Sequence, residues 1–237
     1  MPRTKNPELR KRLEAVIQKS LVTRGLDATS YQLVAEEAGI SRALVQHYYP
    51  RKMDFAVEYL NGLLSTIADM LGIVEYGGPT RLSYLDAHRI GCLYYGYLLS
   101  KNGGRLLLYD ILKDRALADE LMRGHYEWGL ENLDPSRPEF ESRSQHVIEV
   151  WGGFYELMYY SIKQDFDIDV PLKSIQILKA FHDGVDGPFD PNGELDDRSS
   201  DAPSLDELKA RLSDAMAASP KQNPANPAPS AKAQPRA

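Results

Sequence analysis

One short stretch of the sequence places several hydrogen-bonding side chains on a single helix face. Ser41 is a favourable N-cap, and Pro50 limits the helix that follows to about eight residues. If Val45 and Tyr49 face inward, the outward side chains are those of Arg42, Ala43, Gln46, His47 and Tyr48. A helix of this width fits the major groove of DNA, where arginine pairs with guanine and glutamine with adenine. The spacing therefore predicts a surface that contacts base edges.

The residues just before this helix complete a two-helix unit. Ser30, or Thr29, can cap a helix that runs to about Ala38, with Val34 and Ala35 facing inward. Gly39 breaks that helix, because the turn needs a positive φ that a side chain resists. Ile40 would fill the space beneath both helices. The pattern is typical of a helix-turn-helix, in which the second helix enters the groove.

A second group of chemically active side chains lies further along the chain. His88, Cys92 and Tyr95 are spaced by four and three residues, so they share one face of a predicted helix. This spacing allows three interpretations: a thiolate–imidazolium pair, half of a metal site, or a redox switch at Cys92. No Asp, Glu or His at matching spacing completes a metal site, and the chain has no Gly-rich phosphate loop or Gly-x-Ser-x-Gly motif. The sequence therefore predicts no enzyme, catalytic residue, metal or cofactor.

Aromatic side chains are frequent in the part of the chain that follows. The sequence contains 14 tyrosines, several of them at helical spacing. Such residues can line an apolar cavity with a few polar groups, suited to a mostly apolar small molecule. The candidate ligand-binding residues are His88, Cys92, Tyr95, His125, Trp128, Trp151, Tyr155 and Tyr159. The alternative is that these aromatic residues simply form the core.

The elements that position all of these residues are predicted to be helices, so the predicted fold class is all-α. Periodic apolar residues indicate a first helix that ends at Gly25 and a fourth helix from about 51 to 71. Further helices are predicted near 81–101, 104–114, 116–132, 139–165 and 171–183. Leu205, Leu208, Leu212 and Met216 indicate one more short docking helix. Five prolines among residues 219–237 predict a disordered tail.

Charge is distributed unevenly along the 237 residues, whose net charge is −6. Residues 1–55 carry ten Lys/Arg against six Asp/Glu, or +4, and the remainder therefore carries −10. A polyanion would accordingly meet the N-terminal quarter. The single cysteine excludes an internal disulfide, and the longest apolar run, eight residues, is far short of the roughly 20 that span a bilayer. With no apolar signal segment at the start, the sequence predicts a soluble cytoplasmic protein without a membrane partner.

Residues 9–60 resemble the DNA-binding domain of the tetracycline-repressor (TetR) family of bacterial regulators. The matching elements are Gly25, the Thr29–Ser30 cap, Val34–Ala35, Ala38–Gly39–Ile40–Ser41, Tyr48–Tyr49, and Lys52 with Phe55. Two positions depart from the family pattern. Gln46 stands where a tyrosine is usual, and Tyr49 stands where a phenylalanine is usual. Both departures bear on which DNA sequence is read.

The resemblance implies an N-terminal three-helix, helix-turn-helix DNA-binding domain at residues 1–52. A larger helical ligand-binding and dimerisation domain would occupy 53–183, and 184–237 would be a linker, a short helix and a tail. The implied DNA-binding residues are Ser30, Tyr31, Gln32, Ser41, Arg42, Ala43, Gln46, His47, Tyr48 and Lys52. Arg42 is expected to pair with guanine O6 and N7, while Tyr48, Lys52 and the amides near Ser30 would contact phosphates.

The segment 147–162 is predicted to form the subunit interface of a homodimer, since Gly152–Gly153 would let a neighbouring helix approach. The apolar residues assigned to it are Trp151, Phe154, Leu157, Met158 and Ile162, together with Ile175, Leu178 and Phe181 from the next helix. A two-fold dimer would set two recognition helices about 34–36 Å apart, or a multiple of that, on a palindromic operator in double-stranded DNA.

The expected function is that of a ligand-responsive, sequence-specific transcriptional regulator, a repressor that a small, mostly apolar ligand releases from its operator. Ligand in the larger domain would shift the fourth helix and change the separation of the two recognition units. Two alternatives stay open: an activator of the same fold, and a helical dimeric interaction protein that acts through protein partners without operator binding.

Overall fold

The computed structural model describes residues 6–73, 84–120, 140–182 and 203–218. Within these ranges every regular element is a helix and none is a strand, so the predicted all-α class is confirmed. The helices are α1 (Pro7–Ala28), α2 (Tyr31–Ala38), α3 (Arg42–Tyr48), α4 (Met53–Leu71), α5 (Tyr84–Leu99), α6 (Arg105–Lys113), α7 (Phe140–Gln164), α8 (Val170–His182) and α9 (Leu205–Ala217). Residues 115–120 are helical as well.

The predicted helix ends mostly agree with the observed ones. Gly72, in the left-handed conformation at φ 68°, ends α4 as the sequence suggests. Gly25 does break α1, with φ 80° and ψ 178°, but the helix resumes for another turn and ends at Ala28. The docking helix near 205–216 is present as α9. His125, Trp128 and the tail 219–237 lie outside the described residues.

The first three helices pack around a common apolar centre with the start of α4. Leu13, Leu21 and Val45 are completely buried there. Phe55 of α4 lies between the rings of Tyr31 and Tyr49, whose centroids are 5.2 and 5.3 Å from its own, both in edge-on contact. Residues 6–52 are called the head below, and residues from 53 onward the body. The first turns of α4 therefore pack with the head although they lie beyond residue 52.

The helix α5 is the central element of the body. It packs against α4, α6, α8 and α9, while α7 packs against α6 and α8. Leu93, Leu98, Leu107, Ile111 and Met158 are buried at 0–1% exposure between these helices. The second half of α4 joins the same interior through Leu63 and Ile67. Consequently α4 runs continuously from the core of the head into the core of the body.

Three of the α7 residues that the sequence assigns to a subunit interface are buried inside the single chain. Trp151, Phe154 and Met158 are 7%, 4% and 0% exposed within the single chain. Phe154 contacts the ring of Tyr95 on α5 at 5.1 Å. Assigning these three residues to a subunit interface is therefore wrong, because α5 and its neighbours already bury them. Leu178 on α8 is likewise buried, at 5% exposure.

Candidate functional site

The turn between α2 and α3 has the geometry that its residues dictate. Ser30 Oγ accepts the N–H of Leu33 at 3.1 Å, and Ser41 Oγ accepts the N–H of Leu44 at 3.3 Å, so each helix begins at a serine cap. Gly39 has φ 65°, as expected, and its N–H donates to the carbonyl oxygen of Glu36 at 3.2 Å. These bonds hold α3 in a fixed direction relative to α2 across a three-residue turn.

The helix α3 has one buried face and one exposed face. Val45 is completely buried, and Tyr49, just past the helix end, is 4% exposed. The side chains exposed at α3 are those of Ser41, Arg42, Ala43, Gln46 and His47. None of the residues that the structure describes forms a hydrogen bond or ion pair with the Arg42 guanidinium. Of the predicted outward side chains, those of Arg42, Ala43, Gln46 and His47 are thus exposed together, whereas Tyr48 is half-buried.

Three other predicted DNA-binding residues already have partners within the chain. Tyr48 is half-buried, and its hydroxyl accepts the N–H of Asn6 at 2.8 Å, which joins α3 to the start of α1. Lys52 Nζ donates to the carbonyl oxygen of Asp27 at 2.8 Å. Gln32 Nε2 donates to Glu36 Oε1 at 2.6 Å on the surface of α2. The Tyr48 and Lys52 bonds join separate segments of the head, whereas the Gln32 bond lies within α2.

Tyr31 differs from the rest of the predicted set. Its ring packs on Phe55, and its hydroxyl is buried without a hydrogen-bond partner. Burial, followed by the charge of Asp54, raises the pKa of Tyr31, whereas the nearby positive charge of Arg42 opposes that rise. Tyr31 therefore packs against the core of the head, whereas Ser30 and Gln32 on either side of it are exposed.

Half of the Lys and Arg side chains of the head are paired with carboxylates. Arg10 Nε lies 2.9 Å from Glu14 Oε1, and Arg10 Nη2 lies 2.9 Å from Glu58 Oε1. The remaining ion pairs of the head join Lys19 and Arg24 to Glu37, and Arg51 to Asp54 and Glu120. Among the described residues of the head, Lys11, Arg12, Arg42 and Lys52 have no carboxylate partner, although Lys52 bonds a backbone carbonyl. The unpaired cation on α3 is Arg42, which leaves its guanidinium available to an anion or a base edge.

The head is joined to α6 by a polar contact that sequence reasoning missed. Asp110, 7% exposed, accepts the backbone N–H of Asp27 at 2.9 Å. Lys113 Nζ bridges the two side chains, 2.7 Å from Asp110 Oδ1 and 2.7 Å from Asp27 Oδ2. Residues 83 positions apart form this contact, so no local spacing in the sequence signals it.

The predicted ligand-binding residues fall into separate groups in the body. Cys92 Sγ lies 3.5 Å from His88 Nε2, and His88 Nδ1 lies 3.1 Å from Ser174 Oγ on α8. Burial, and secondarily the charge of Arg89, lowers the pKa of His88, while burial raises the pKa of Cys92 to about 12. Both shifts favour the neutral forms, so the pair is a thiol and an imidazole and not a thiolate–imidazolium pair. Ser174 was missed because it belongs to another helix.

The second group is aromatic. The Tyr95 ring lies 5.9 Å from Trp151, and Trp151 lies 5.6 Å from Tyr155. All three side chains are buried at 4–8% exposure and pack on one another with Phe154. Tyr159 is separate from them and stacks on Tyr109 at 5.6 Å. In this arrangement Tyr95, Trp151 and Tyr155 fill the core, as the alternative interpretation proposed.

In comparisons with known proteins, no family model, curated protein or solved structure matches the chain. Within residues 6–73, 84–120, 140–182 and 203–218, no group of three or more His, Cys, Asp or Glu side chains is arranged to hold a metal ion. No helix of the described part combines the length and apolar character needed to cross a bilayer.

Proposed function

We propose that this chain is a ligand-responsive transcriptional regulator of the TetR type. It binds a near-palindromic operator as a homodimer through the helix-turn-helix formed by α2 and α3, and a small, mostly apolar molecule weakens that binding. The observation that carries the proposal is the exposed face of α3, where Arg42, Ala43, Gln46 and His47 point to solvent and Arg42 has no described partner. Repression is the mode that we expect.

The local geometry of the head supports insertion of α3 into the major groove. Serine caps define both helices, and the left-handed Gly39 sets the angle between them. Val45 and Tyr49 hold one side of α3 against the core, and Arg42, Ala43, Gln46 and His47 are exposed on the other side. Arg42 is in the first turn, where recognition helices contact base edges. Ser30, at the cap of α2, and Lys52, before α4, are placed on adjoining segments for phosphate contacts.

The exposed side of α7 supports the homodimer. It carries Ile148 and Tyr160, which are 49% and 41% exposed and lie about a third of a turn from each other around the helix. Between them in sequence, a Cβ added to Gly152 or Gly153 would meet no described atom within 4 Å outside its own stretch of helix. The packing of the described residues therefore does not require glycine at these positions, whereas close approach of a second helix would. This side of α7 replaces the buried Trp151, Phe154 and Met158 as the proposed contact with a second subunit.

Two connections can transmit ligand binding from the body to the head. One is α4, which belongs to both cores. The other is α6, whose Asp110 and Lys113 bind Asp27 just before α2. Ligand that displaces the Tyr95–Trp151 packing would move α5 and hence its neighbours α4 and α6. A coupling of about 1–3 kcal/mol would change operator affinity 5–150-fold.

A gel mobility-shift assay on the DNA upstream of the chain's own coding sequence tests the proposal. Retarded DNA whose affinity falls steeply with salt supports a regulator. Arg42→Ala should weaken specific binding by about 1–3 kcal/mol and relax the sequence preference at one base pair of each half-site. Lys101→Ala is the matched control, because it removes an exposed cation from the turn before α6. No retention even at low salt would instead favour the protein-partner alternative.

A further inference from the structure

The C-terminal helix α9 lies across α4 and α5. Leu208 and Leu212, four residues apart, are each 1% exposed, and Leu205 and Met216 continue the same stripe as half-buried residues. The other sides of α9 face solvent. One narrow apolar stripe therefore accounts for most of the docking of this helix.

The attachment of α9 to the rest of the chain includes little beyond that stripe. Gln18 Nε2 donates to the carbonyl oxygen of Met216 at 2.9 Å, which connects α9 to α1. The ion pair found on α9, Lys209 with Asp206 at 3.2 Å, is internal, and no described residue outside α9 pairs with its charges. Ser204 and Glu207 cap the helix reciprocally. The start of α9 thus satisfies its own backbone groups and does not depend on the body.

The helix α9 packs on α5, which carries Cys92. The Cys92 side chain is 0% exposed and lies 3.5 Å from His88, which in turn lies 3.1 Å from Ser174 on α8. The positive charge of Lys209 on α9 acts to lower the pKa of the Cys92 thiol against the larger effect of burial, so α9 as well as α8 is near this polar cluster. Since α5 also carries Tyr95, this helix contributes residues to both groups of candidate ligand-binding residues, the His88–Cys92 pair and the aromatic cluster.

We propose that α9 is a removable cover over α4 and α5, which undocks while the rest of the body stays folded and so exposes Cys92 and the neighbouring candidate ligand-binding residues of α5. Undocking would also break the Gln18–Met216 bond between α9 and α1 of the head. The role in ligand entry rests on the proposed function. The undocking itself does not rest on the proposed function. It is inferred from the contacts of α9, which are one apolar stripe and the Gln18–Met216 hydrogen bond, without an ion pair to another described helix.

The only cysteine of the chain provides a direct measurement of this opening. Labelling of Cys92 in the full-length native protein by 5,5′-dithiobis(2-nitrobenzoic acid) is followed at fixed pH in increasing, sub-denaturing urea. Local undocking exposes little surface, so the labelling rate should depend on urea much less steeply than global unfolding does. Amide hydrogen exchange should show α9 exchanging at least about tenfold faster than α4, α5 and α8. A labelling rate with the urea dependence of global unfolding would overturn the proposal, as would exchange of α9 at the rate of α5.

Paired variants separate undocking from general loss of structure. Leu208→Ser with Leu212→Ser should accelerate Cys92 labelling at least tenfold while hydrogen exchange in α4, α5 and α8 stays within about twofold of the native protein. The control, Ala210→Ser with Ala217→Ser, makes the same change at exposed positions of α9 and should leave the labelling rate unchanged. Unchanged labelling in the leucine variant, or equal acceleration in the control, would contradict a cover. Neither readout involves DNA, so the result is independent of whether the chain binds an operator.

Discussion

Asp110 on α6 accepts the backbone N–H of Asp27 at 2.9 Å. Asp27 lies three residues before Ser30, the residue that caps α2. The same α6 carries Lys113, which bridges both aspartates. At the other end of the α2–α3 unit, Arg51 pairs with Glu120 at 2.8 Å, in the helical segment that follows α6. The segment from α6 to residue 120 therefore contacts the chain just before α2 and just after α3. The position of this segment affects the orientation of the proposed recognition unit, α2 and α3.

Removing the Asp110 carboxylate should destabilise the junction between head and body. Asp110→Ala leaves the Asp27 N–H without its acceptor and removes one of the two carboxylates that bind the Lys113 ammonium. A hydrogen bond to a charged group contributes about 1.5–3 kcal/mol. We expect a loss of that size in the free energy of unfolding, measured by urea denaturation. Asp110→Asn, which keeps one acceptor, should lose less.

The control for this junction is Asp119→Ala, at an exposed position near the end of the segment 115–120. It should change stability by less than about 0.5 kcal/mol, as surface substitutions usually do. Equal losses for Asp110→Ala and Asp119→Ala would show that the buried carboxylate does not stabilise the junction.

Substitution by alanine should destabilise the protein to very different extents at two glycines of the head. Gly25 has φ 80° and ψ 178°, a region that costs other residues about 1–3 kcal/mol, and its added Cβ would collide with the Asp110 carboxylate. Gly39, at φ 65°, has open space around it, so Gly39→Ala should cost only about 1–2 kcal/mol for the left-handed backbone. Thermal unfolding of both variants checks the order. A Gly39→Ala loss equal to or above that of Gly25→Ala would contradict the close approach of Asp110.

The head could be predicted from sequence because its geometry is local. Ser30, Gly39 and Ser41 act on the backbone within a few residues of themselves, and the spacing of Val45 and Tyr49 fixes which side of α3 is buried. Gly25 was correctly identified as a break. The extra turn to Ala28 was missed because tertiary contacts, including the Asp27–Asp110 bond, hold it in place.

The body was harder to predict, since an apolar residue on a helix indicates burial but not the partner that buries it. Trp151 and Phe154 have the same sequence pattern whether they meet α5 or a second subunit. The His88–Cys92 contact follows from a spacing of four, whereas its continuation to Ser174 joins residues 86 positions apart. Long-range partners of this kind leave no periodic signal in a single sequence.

The buried imidazole of His88 should make stability depend on pH. Burial lowers the pKa of His88 below its ordinary value of 6.5, so in acid the unfolded chain binds a proton that the folded chain resists. This contribution to stability is present above pH 6.5 and is lost as the pH falls below it, by at most about 1.4 kcal/mol per pH unit. His88→Gln should remove that dependence between pH 5 and 7, as measured by urea denaturation. His47→Gln, at an exposed position, should leave it in place, and identical pH profiles for the native protein and His88→Gln would contradict the assignment.

If the exposed side of α7 meets a second copy of the chain, a larger side chain in place of one of its glycines should weaken that contact. A leucine at Gly153 has open space within the chain, and replacing glycine inside a helix favours folding by about 0.5–1 kcal/mol in backbone terms. Gly153→Leu should therefore keep or raise the stability of the single chain while it weakens self-association at least tenfold by sedimentation. Gly62→Leu is the matched control, because Gly62 is an exposed glycine inside α4 with equally open surroundings. If both leucines left association unchanged, α7 would not be the contact between subunits. If Gly62→Leu alone reduced it, the contact would lie on α4.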